Sequence, residues 1–214
     1  MNGPSRADLI VARAARAGVP VAPDVVSALD AYLELLAVWN RKVNLTALPL
    51  EPATDLAIDR LIIEPLIAVR HVGAEDRLAV DIGSGGGSPA IPMRLAAPGL
   101  RFVLVEVKSK KATFLRAVAR ELSLSNVEVE NRSAAAVLLR SDLRQAADLV
   151  TMRAVRADES VLKPVQELLR LGGRLFWFGA SGGGDVPGES GFRIQSTQEL
   201  PGPATLAILE RLIE

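Results

Sequence analysis

The stretch that most constrains the fold of this chain is a glycine-rich turn at residues 83–87. It follows a small and apolar run, residues 78–82, which is interrupted by one acid and is typical of a buried strand. Glycines at alternate positions permit a tight turn and the close approach of the backbone to a bound molecule. Residues 90–95 then begin a helical pattern with proline in its first turn. Backbone N–H groups and a helix N-terminus are electropositive, so the stretch predicts a ligand site; a tight connection without a ligand is the alternative.

Two details narrow the class of ligand. No lysine follows the glycines as a nucleoside triphosphate loop requires, and Ser88 stands where the third glycine of a dinucleotide fingerprint would be. A second strand pattern, residues 101–105, ends in Glu106, at the place where a carboxylate accepts hydrogen bonds from ribose hydroxyls. These features predict an adenosine-containing ligand. It is S-adenosylmethionine (SAM) or a dinucleotide, and the glycine spacing favours SAM.

Composition excludes several other kinds of site. The 214 residues include no cysteine, which excludes disulfides, cysteine nucleophiles and thiolate metal ligands, and the single histidine, His71, argues against a histidine zinc site. Lys and Arg total 25, as do Asp and Glu, so any nucleic-acid surface must be a local patch. The chain shows no signal-peptide pattern and no membrane-spanning apolar run. We therefore expect a cytoplasmic monomer with no membrane and no metal partner.

Hydrophobic periodicity divides the chain near residue 73. Residues 1–72 show helical patterns only, over 6–17, from Pro23 onward and over about 53–70, and form a predicted helical cap. Strands and helices alternate in the predicted core, residues 73–214, except before the last strand. The predicted strands are 78–82, 101–106, 127–130, 147–152, 174–178, 191–197 and 204–210, and the helices between them are 88–96, 110–123, 133–139 and 158–170. The pattern predicts an α/β, Rossmann-like fold with a seven-stranded, mostly parallel sheet and an antiparallel last strand, and ligands bind such sheets at the carboxyl ends of the strands.

Two segments leave alternatives open. Residues 181–191 are glycine-heavy and without periodicity, so they are predicted to be a loop, which is either a lid over the ligand or a surface loop without function. Residues 101–120 are the most basic window of the chain. Its charged side chains form either a solvated helix face or a track for RNA phosphates. They are Lys108, Lys110, Lys111, Arg116 and Arg120.

Five sequence blocks resemble those of one known family, in the same order and over roughly residues 30–178. They are Trp39-Asn40-x-x-x-Asn44-Leu45-Thr46, Asp81-Ile82-Gly83-Ser84-Gly85-x-Gly87-x-Pro89-x-Ile91-Pro92, Glu106 with Ser109-Lys110-Lys111-x-x-Phe114-Leu115, Arg132, and Met152-Arg153-Ala154. The first block is the most specific, because many methyltransferases share the glycine turn. On these residues the chain resembles the small-subunit ribosomal RNA methyltransferase G family, formerly called glucose-inhibited division protein B.

The resemblance implies a class I SAM-dependent methyltransferase fold, SAM as methyl donor, and N7 of a guanine in 16S rRNA as acceptor. It also implies 16S rRNA or the small ribosomal subunit as partner. The chain departs from the family pattern at residues 59–64, where an Arg-His-x-x-Asp-Ser-like segment is usual, and at Gly86, Ala90, Ala180 and Ala204. The chain thus matches the family's cofactor-binding motifs better than its substrate-binding motifs. A class I methyltransferase for another RNA, a protein or a small molecule, and a non-catalytic nucleotide-binding homologue, stay as alternatives.

Positions within these blocks give each residue an expected role. Asp81 binds the methionine amino group or caps the glycine turn, and Arg153 matches the family arginine at the pocket floor, with a structural ion pair as its alternative. The expected cofactor-binding residues are Asp81, Gly83, Ser84, Gly85, Gly87, Ser88, Glu106, Ser133, Ala134 and Arg153. The expected substrate-binding residues are Trp39, Asn40, Asn44 and Arg132. For Trp39, stacking on a flipped-out base and a place in the core are equal alternatives, and for Asn40 and Asn44 the equal alternative to shaping the acceptor pocket is a loop-capping role.

The implied chemistry limits the search for catalytic residues. Guanine N7 carries a lone pair in the ring plane and needs no deprotonation, so no general base is required. Alignment of nucleophile, methyl group and sulfur can supply most of the rate through proximity. Arg153 is the sole catalytic candidate, and His71, which lies outside the matching blocks, is expected to be incidental.

Overall fold

The computed structural model describes residues 4–155, 158–180 and 191–212. Its N-terminal part is helical, and the bounds are α1 (Arg6–Arg16), α2 (Pro23–Val43), α3 (Asp55–Ile58) and α4 (Glu64–Val69), with a π-helical turn, Asp59–Ile63, joining α3 to α4. A capping box of Ser5 and Asp8 begins α1, because the side chain of each residue accepts the backbone N–H of the other. Pro23 occupies the first position of α2, where its missing N–H is harmless, and Asn44 ends the helix in the left-handed conformation.

Seven strands form one sheet in the order β3-β2-β1-β4-β5-β7-β6. The elements are β1 (Leu78–Ile82), α5 (Ala90–Ala96), β2 (Arg101–Val105), α6 (Ser109–Glu121), β3 (Val127–Glu130), α7 (Ala134–Val137), β4 (Ala147–Arg153), α8 (Glu159–Leu168), β5 (Leu169–Ala180), β6 (Phe192–Leu200) and β7 (Ala204–Arg211). Strands β1 to β5 pair in parallel, and β7 runs antiparallel to both of its neighbours, β5 and β6. This arrangement confirms the predicted class I methyltransferase fold. The strand order reverses between β1 and β4, so a crevice opens at their carboxyl ends.

The two faces of the sheet belong to two hydrophobic clusters. Side chains alternate along a strand, so Ala79 and Leu149 join the cluster of α1–α6 whereas Val80 and Val150 join the cluster of α7 and α8. The same alternation places Asp81 on the face that the N-terminal helices cover. The cap and one face of the sheet therefore share a single core, and the predicted division at residue 72 stays a prediction.

Some predicted bounds differ from those observed. The helix expected from residue 88 begins at Ala90, so Ser88 lies in the turn before it. The strand expected from residue 174 begins at 169, and Gly172 and Gly173 lie in an irregular stretch where it bends between its pairing with Ala147 and its pairing with Leu149. A Cβ at Gly173 would lie 2.9 Å from the Ala147 carbonyl oxygen, so only glycine fits there.

The predicted loop 181–191 lies outside the described residues except for Gly191. Among the residues that the structure describes, no helix is long and apolar enough to cross a membrane. Nor do those residues include a group of three or more side chains that could hold a metal ion.

Candidate functional site

A pocket of about 340 Å³ lies between the N-terminal cap and the carboxyl ends of β1 and β4. Residues of α2, of the segment after it and of the π-helical turn contribute one side, and the glycine turn and the end of β4 contribute the other. We call this cavity the strand-end pocket. Its lining residues are Leu36, Leu45, Thr46, Leu48, Arg60, Leu61, Gly83, Ser84, Gly85, Gly86, Ser88, Lys111, Arg153, Ala154 and Val155. Five predicted cofactor residues are among them, namely Gly83, Ser84, Gly85, Ser88 and Arg153.

The glycine turn lies against the end of β2. The backbone N–H groups of Gly83 and Ser84 both donate to the Val105 carbonyl, at 2.9 and 3.1 Å. Gly83 has φ +73°, and a Cβ on it would lie 2.7 Å from Cγ2 of Val155. The turn therefore requires glycine at this position on two counts, backbone conformation and space. Gly85 and Gly87 also have positive φ, and Gly87 is the one glycine of the predicted three that does not line the pocket.

Asp81 lies at the end of β1 with its carboxylate almost fully buried. Its Oδ1 accepts a hydrogen bond from the Thr151 hydroxyl at 2.6 Å, whereas its Oδ2 is buried and has no hydrogen-bond partner among the described residues. Burial raises the pKa of Asp81 to about 6, against the opposing effect of the Thr151 hydrogen bond. A buried acceptor without a donor is unfavourable, so this oxygen suits a donor from a bound molecule.

Glu106 directly follows β2 and is 5% exposed. Its Oε2 accepts the backbone N–H of Gly85 at 2.9 Å, and its Oε1 accepts the backbone N–H of Lys108 at 2.8 Å. The carboxylate thus connects the glycine turn to the start of α6. Each carboxylate oxygen has a further lone pair that can accept from a ligand hydroxyl.

Arg153 ends β4 at the floor of the strand-end pocket. Its Nη1 donates to the Arg60 carbonyl, its Nη2 lies 3.0 Å from Oε2 of Glu64, and its guanidinium carbon lies 4.4 Å from the centroid of the Phe178 ring. Burial lowers the pKa of Arg153 to about 10, against the opposing charge of Glu64. The buried Nε and Nη2 atoms make no hydrogen bond within the described part of the chain, and Nη2 faces the Glu64 carboxylate, so Nε is the donor that lacks an anionic partner.

The N-terminal cap holds the glycine turn from above through two hydrogen bonds. The hydroxyl of Tyr32, a fully buried residue of α2, donates to the Gly86 carbonyl at 2.7 Å. The hydroxyl of Ser88 donates to the Leu61 carbonyl in the π-helical turn at 2.8 Å. The position of the turn therefore depends on the cap as well as on the sheet.

The remaining predicted site residues do not line the strand-end pocket. The Asn40 side chain accepts the N–H groups of Leu45 and Thr46 and donates to the Thr46 carbonyl, so it shapes a segment that does line the pocket. The Trp39 ring packs 5.7 Å from the ring of Phe114. The geometry thus favours the structural alternative for both residues, and their contact with a substrate stays a prediction.

Four further predicted residues lie at the carboxyl edge or beside it. Asn44 takes the left-handed conformation after α2. Arg132 is half exposed and its Nε lies 2.8 Å from Oε2 of Glu130. Ser133 caps α7 by accepting the N–H of Ala136, and Ala134 is the first residue of that helix. Their binding roles stay predictions.

Sequence reasoning missed the pocket residues that the cap supplies. Arg60 and Thr46 line the pocket, and Glu64 lies behind Arg60 and Arg153. The sequence around these residues has no periodic or glycine-rich pattern that would mark them as part of a site. Lys111, for which the sequence predicts either a solvated helix face or contact with RNA phosphates, lines the pocket beside Gly85. A hydrogen-bonding requirement could have found Thr151, because the buried acid beside it on the adjacent strand, Asp81, needs a donor.

Comparison with known proteins decides the family. The sequence model of the family described as rRNA small subunit methyltransferase G matches residues 25–181, a range that contains every residue lining the strand-end pocket. The chain belongs to this family.

Two relatives in the rRNA small subunit methyltransferase G family illustrate the extent of the match. A protein of Sorangium cellulosum named ribosomal RNA small subunit methyltransferase G is 43% identical over 145 residues, which are 67% of this chain and 59% of that protein. One of Carboxydothermus hydrogenoformans with the same name is 33% identical over 165 residues, 77% of this chain and 69% of that protein. The chain therefore spans between about three fifths and seven tenths of these relatives.

A solved structure supports the fold independently. The crystal structure of a SAM-dependent methyltransferase from Aquifex aeolicus superposes with a TM-score of 0.57 at 13% identity, and the match covers 72% of this chain and 92% of that one. At this identity the likeness concerns the fold alone.

Proposed function

We propose that this protein transfers the methyl group of SAM to N7 of a guanine in 16S rRNA. The observation that carries the proposal is the family match over residues 25–181, because it includes the whole strand-end pocket and not only the glycine turn. The curated relatives are named for methylation of small-subunit rRNA. We further propose that the protein acts as a cytoplasmic monomer on 16S rRNA or the small ribosomal subunit.

Groups in the strand-end pocket or next to it fit each polar part of SAM, although Asp81 and Glu106 lie beside the pocket and do not line it. The unpartnered Oδ2 of Asp81 suits the methionine ammonium group, and the guanidinium of Arg153, whose Nε has no acceptor among the described residues, suits its carboxylate. Glu106, at the end of the neighbouring strand, suits the ribose hydroxyls. Ser133 and Ala134, which follow β3 at the same edge of the sheet, are proposed to lie beside the adenine.

Bound SAM would supply an electrophilic methyl group on a sulfonium centre. The chain then needs to align a purine nitrogen that already has a lone pair, so orientation and exclusion of water account for catalysis without a protein base. Asp81 and Arg153 would fix the amino-acid end of the donor, and Glu106 would fix its ribose. No titratable side chain of the pocket is required to accept a proton.

The acceptor RNA would approach from the basic side of the pocket mouth. Lys108 and Lys110 are exposed at the start of α6, and Lys111 lines the pocket itself. The first turn of this helix contains no acidic residue, although its positive end would favour one. A local excess of positive charge next to the pocket suits RNA phosphates.

Mapping of 7-methylguanine in the cell tests the acceptor. Borohydride–aniline cleavage of 16S rRNA from the host of this gene would show a stop at a modified guanine, and deletion of the gene is expected to abolish it. The wild-type gene should restore the cleavage, and a gene encoding Asp81→Ala should not. Cleavage that persists after deletion would overturn the assignment to 16S rRNA.

A transfer assay with purified protein separates the alternatives. Radiolabelled SAM would be incubated with small ribosomal subunits, naked 16S rRNA, bulk tRNA and cell protein from the deletion strain. We expect label in the ribosomal samples only. Label in tRNA or protein would favour another acceptor, and absence of donor binding would favour a non-catalytic homologue.

A further inference from the structure

Glu64 is a fully buried carboxylate that faces the strand-end pocket from behind. It is the first residue of α4, directly after the π-helical turn. Its Oε1 lies 3.5 Å from Nη1 of Arg60, and its Oε2 lies 3.0 Å from Nη2 of Arg153. Both arginines line the pocket, so one buried carboxylate contacts two basic residues of the pocket lining.

Burial of these charged groups is unfavourable unless the opposite charges compensate one another. Burying an ion costs several kcal/mol, and a buried pair is repaid only when its hydrogen bonds are well formed. Here Oε2 of Glu64 and Nη2 of Arg153 touch without a hydrogen bond of good geometry, and Nε of Arg153 has no acceptor within the described residues. The Arg153 guanidinium is thus held by the charge of Glu64 and by the Phe178 ring, and its Nε keeps a donor without an acceptor among the described residues.

The π-helical turn supplies backbone acceptors to Arg153 and to the glycine turn. Its Arg60 carbonyl accepts from Nη1 of Arg153, and its Leu61 carbonyl accepts from the Ser88 hydroxyl. Such turns occur often at functional sites, because they direct backbone groups out of the helix. Glu64 ends this turn and donates its own N–H to the Asp59 carbonyl, so its side chain and the turn have a fixed relation.

We propose that Glu64 is a positioning residue that holds Arg153 at the pocket floor so that the guanidinium binds the amino-acid end of the methyl donor. The proposal rests on the proposed function, since it concerns the donor of that reaction. Glu64 itself touches no ligand in this account. It acts through Arg153 and Arg60.

Two ligands and a matched control variant test the proposal. S-adenosylhomocysteine carries the amino-acid end, and 5′-methylthioadenosine lacks it. Glu64→Gln removes the charge and keeps the shape, whereas Asp59→Asn removes a buried charge from the same turn that pairs with Arg13 in α1, away from the pocket. Dissociation constants for both ligands would be measured by calorimetry at pH 8.

Glu64→Gln is expected to weaken S-adenosylhomocysteine binding by about tenfold, the scale of one charge-assisted hydrogen bond, and to change 5′-methylthioadenosine binding by less than about twofold. Asp59→Asn should leave both constants within about twofold of wild type. An equal loss for both ligands in Glu64→Gln, or no loss for either, would overturn the positioning role. Should Glu64→Gln fail to fold, Glu64→Asp takes its place, and the same ligand selectivity is required of it.

The pH dependence supplies an independent readout. Burial raises the pKa of Glu64 to about 7, so its charge is lost as the pH falls from 8 to 6. The charged and titratable groups that face it or its partner are Arg60 and Asp59 on its own helical segment, Arg153 on β4, Tyr32 on α2 and Asp81 on β1. In wild type, S-adenosylhomocysteine binding should weaken over this range more than in Glu64→Gln, which retains only the contribution of Asp81.

The outcomes also separate this proposal from the proposed function. Wild-type protein that binds neither ligand would contradict SAM as donor. Wild-type protein that binds S-adenosylhomocysteine, with Glu64→Gln unchanged, would contradict the positioning role alone.

Discussion

Two buried aspartates lie near opposite ends of the central strands. Their different surroundings indicate that one carboxylate serves ligand binding and the other serves the stability of the fold. Asp81, at the carboxyl end of β1, has an oxygen without a partner in the described chain and a raised pKa of about 6. Asp148, near the start of β4, accepts the N–H groups of Arg77 and Leu78 and pairs with Arg170. Burial alone would raise the pKa of Asp148, but the hydrogen bonds outweigh it and lower that pKa. We infer that the first serves the ligand and the second serves the fold.

Asp81→Asn should therefore weaken binding without weakening the fold. A carboxyl with a raised folded-state pKa opposes folding when ionised, so wild-type stability falls as the pH rises from about 4 to 6. The variant should lose this slope, melt no lower than wild type at pH 7.5, and bind S-adenosylhomocysteine about tenfold more weakly. Asp148→Asn is the control, and it should lower the melting temperature at pH 7.5 with unchanged binding. A clear fall in melting temperature for Asp81→Asn would contradict the assignment.

Glu106 has two tasks at the residue scale, because it holds the glycine turn and is proposed to bind ribose. Glu106→Ala should weaken S-adenosylhomocysteine binding by ~1–3 kcal/mol. An analogue without the 2′ and 3′ hydroxyls separates the tasks, since loss of the ribose contact affects only the ligand that has those hydroxyls. Equal weakening for the two ligands would leave Glu106 with the structural task alone.

At the scale of elements, α2 determines where the glycine turn lies. The Tyr32 hydroxyl is the link, because it reaches the Gly86 carbonyl from a fully buried position. The helix pattern in the sequence places Tyr32 on one face together with Val25, Leu29, Leu33 and Leu36, and the structure confirms that all of these are buried except Val25, which is half-buried. The pattern carries no sign that the hydroxyl has a partner 54 residues away.

Tyr32→Phe should show this coupling. Removal of the hydroxyl leaves the Gly86 carbonyl without its donor, so we expect a loss of about 1–3 kcal/mol in the free energy of unfolding, together with weaker S-adenosylhomocysteine binding. Ser27→Ala, on the exposed face of the same helix, should change stability by less than about 0.5 kcal/mol and leave binding intact. Urea unfolding and calorimetry measure the two effects, and unchanged binding in Tyr32→Phe would show that the turn holds its position without the cap.

At the scale of the whole molecule, the numbers of basic and acidic residues are equal, but the basic residues are unevenly distributed over the surface. The totals of 25 basic and 25 acidic residues exclude a generally basic protein. The start of α6 nevertheless combines three lysines with the positive end of a helix next to the pocket mouth. A nucleic-acid surface on this molecule would thus have a defined location.

A double variant, Lys108→Ala with Lys110→Ala, tests that location. We expect a higher KM for small ribosomal subunits, a salt dependence of RNA binding that is shallower by about 1–2 in logarithmic slope, and unchanged S-adenosylhomocysteine binding. Lys163→Ala, on α8 at the other face of the sheet, is the control and should leave all three quantities as in wild type. A KM that does not change would exclude this surface from RNA contact.

The strand assignments needed little beyond the sequence. The observed bounds of β1 and β3 are those predicted, since short apolar or alternating runs between glycine, proline and asparagine leave few other interpretations. The bounds at the glycine pair before Arg174 could not be predicted, because a strand bend and a strand end have the same local signature. The π-helical turn was likewise invisible, since its residues continue a helical pattern without a break.

What the sequence determined by itself was therefore the local order of strands and helices, the glycine turn and the two acids at the ends of β1 and β2. These features depend on backbone conformation and on period, which neighbouring residues decide. Only the tertiary structure decided that Arg60 and Lys111 line one cavity with the glycine turn, and that Glu64 and Tyr32 contact residues of its wall. Their meeting depends on how the cap helices pack on one face of the sheet, and contacts between residues far apart in the chain leave no periodic trace in it.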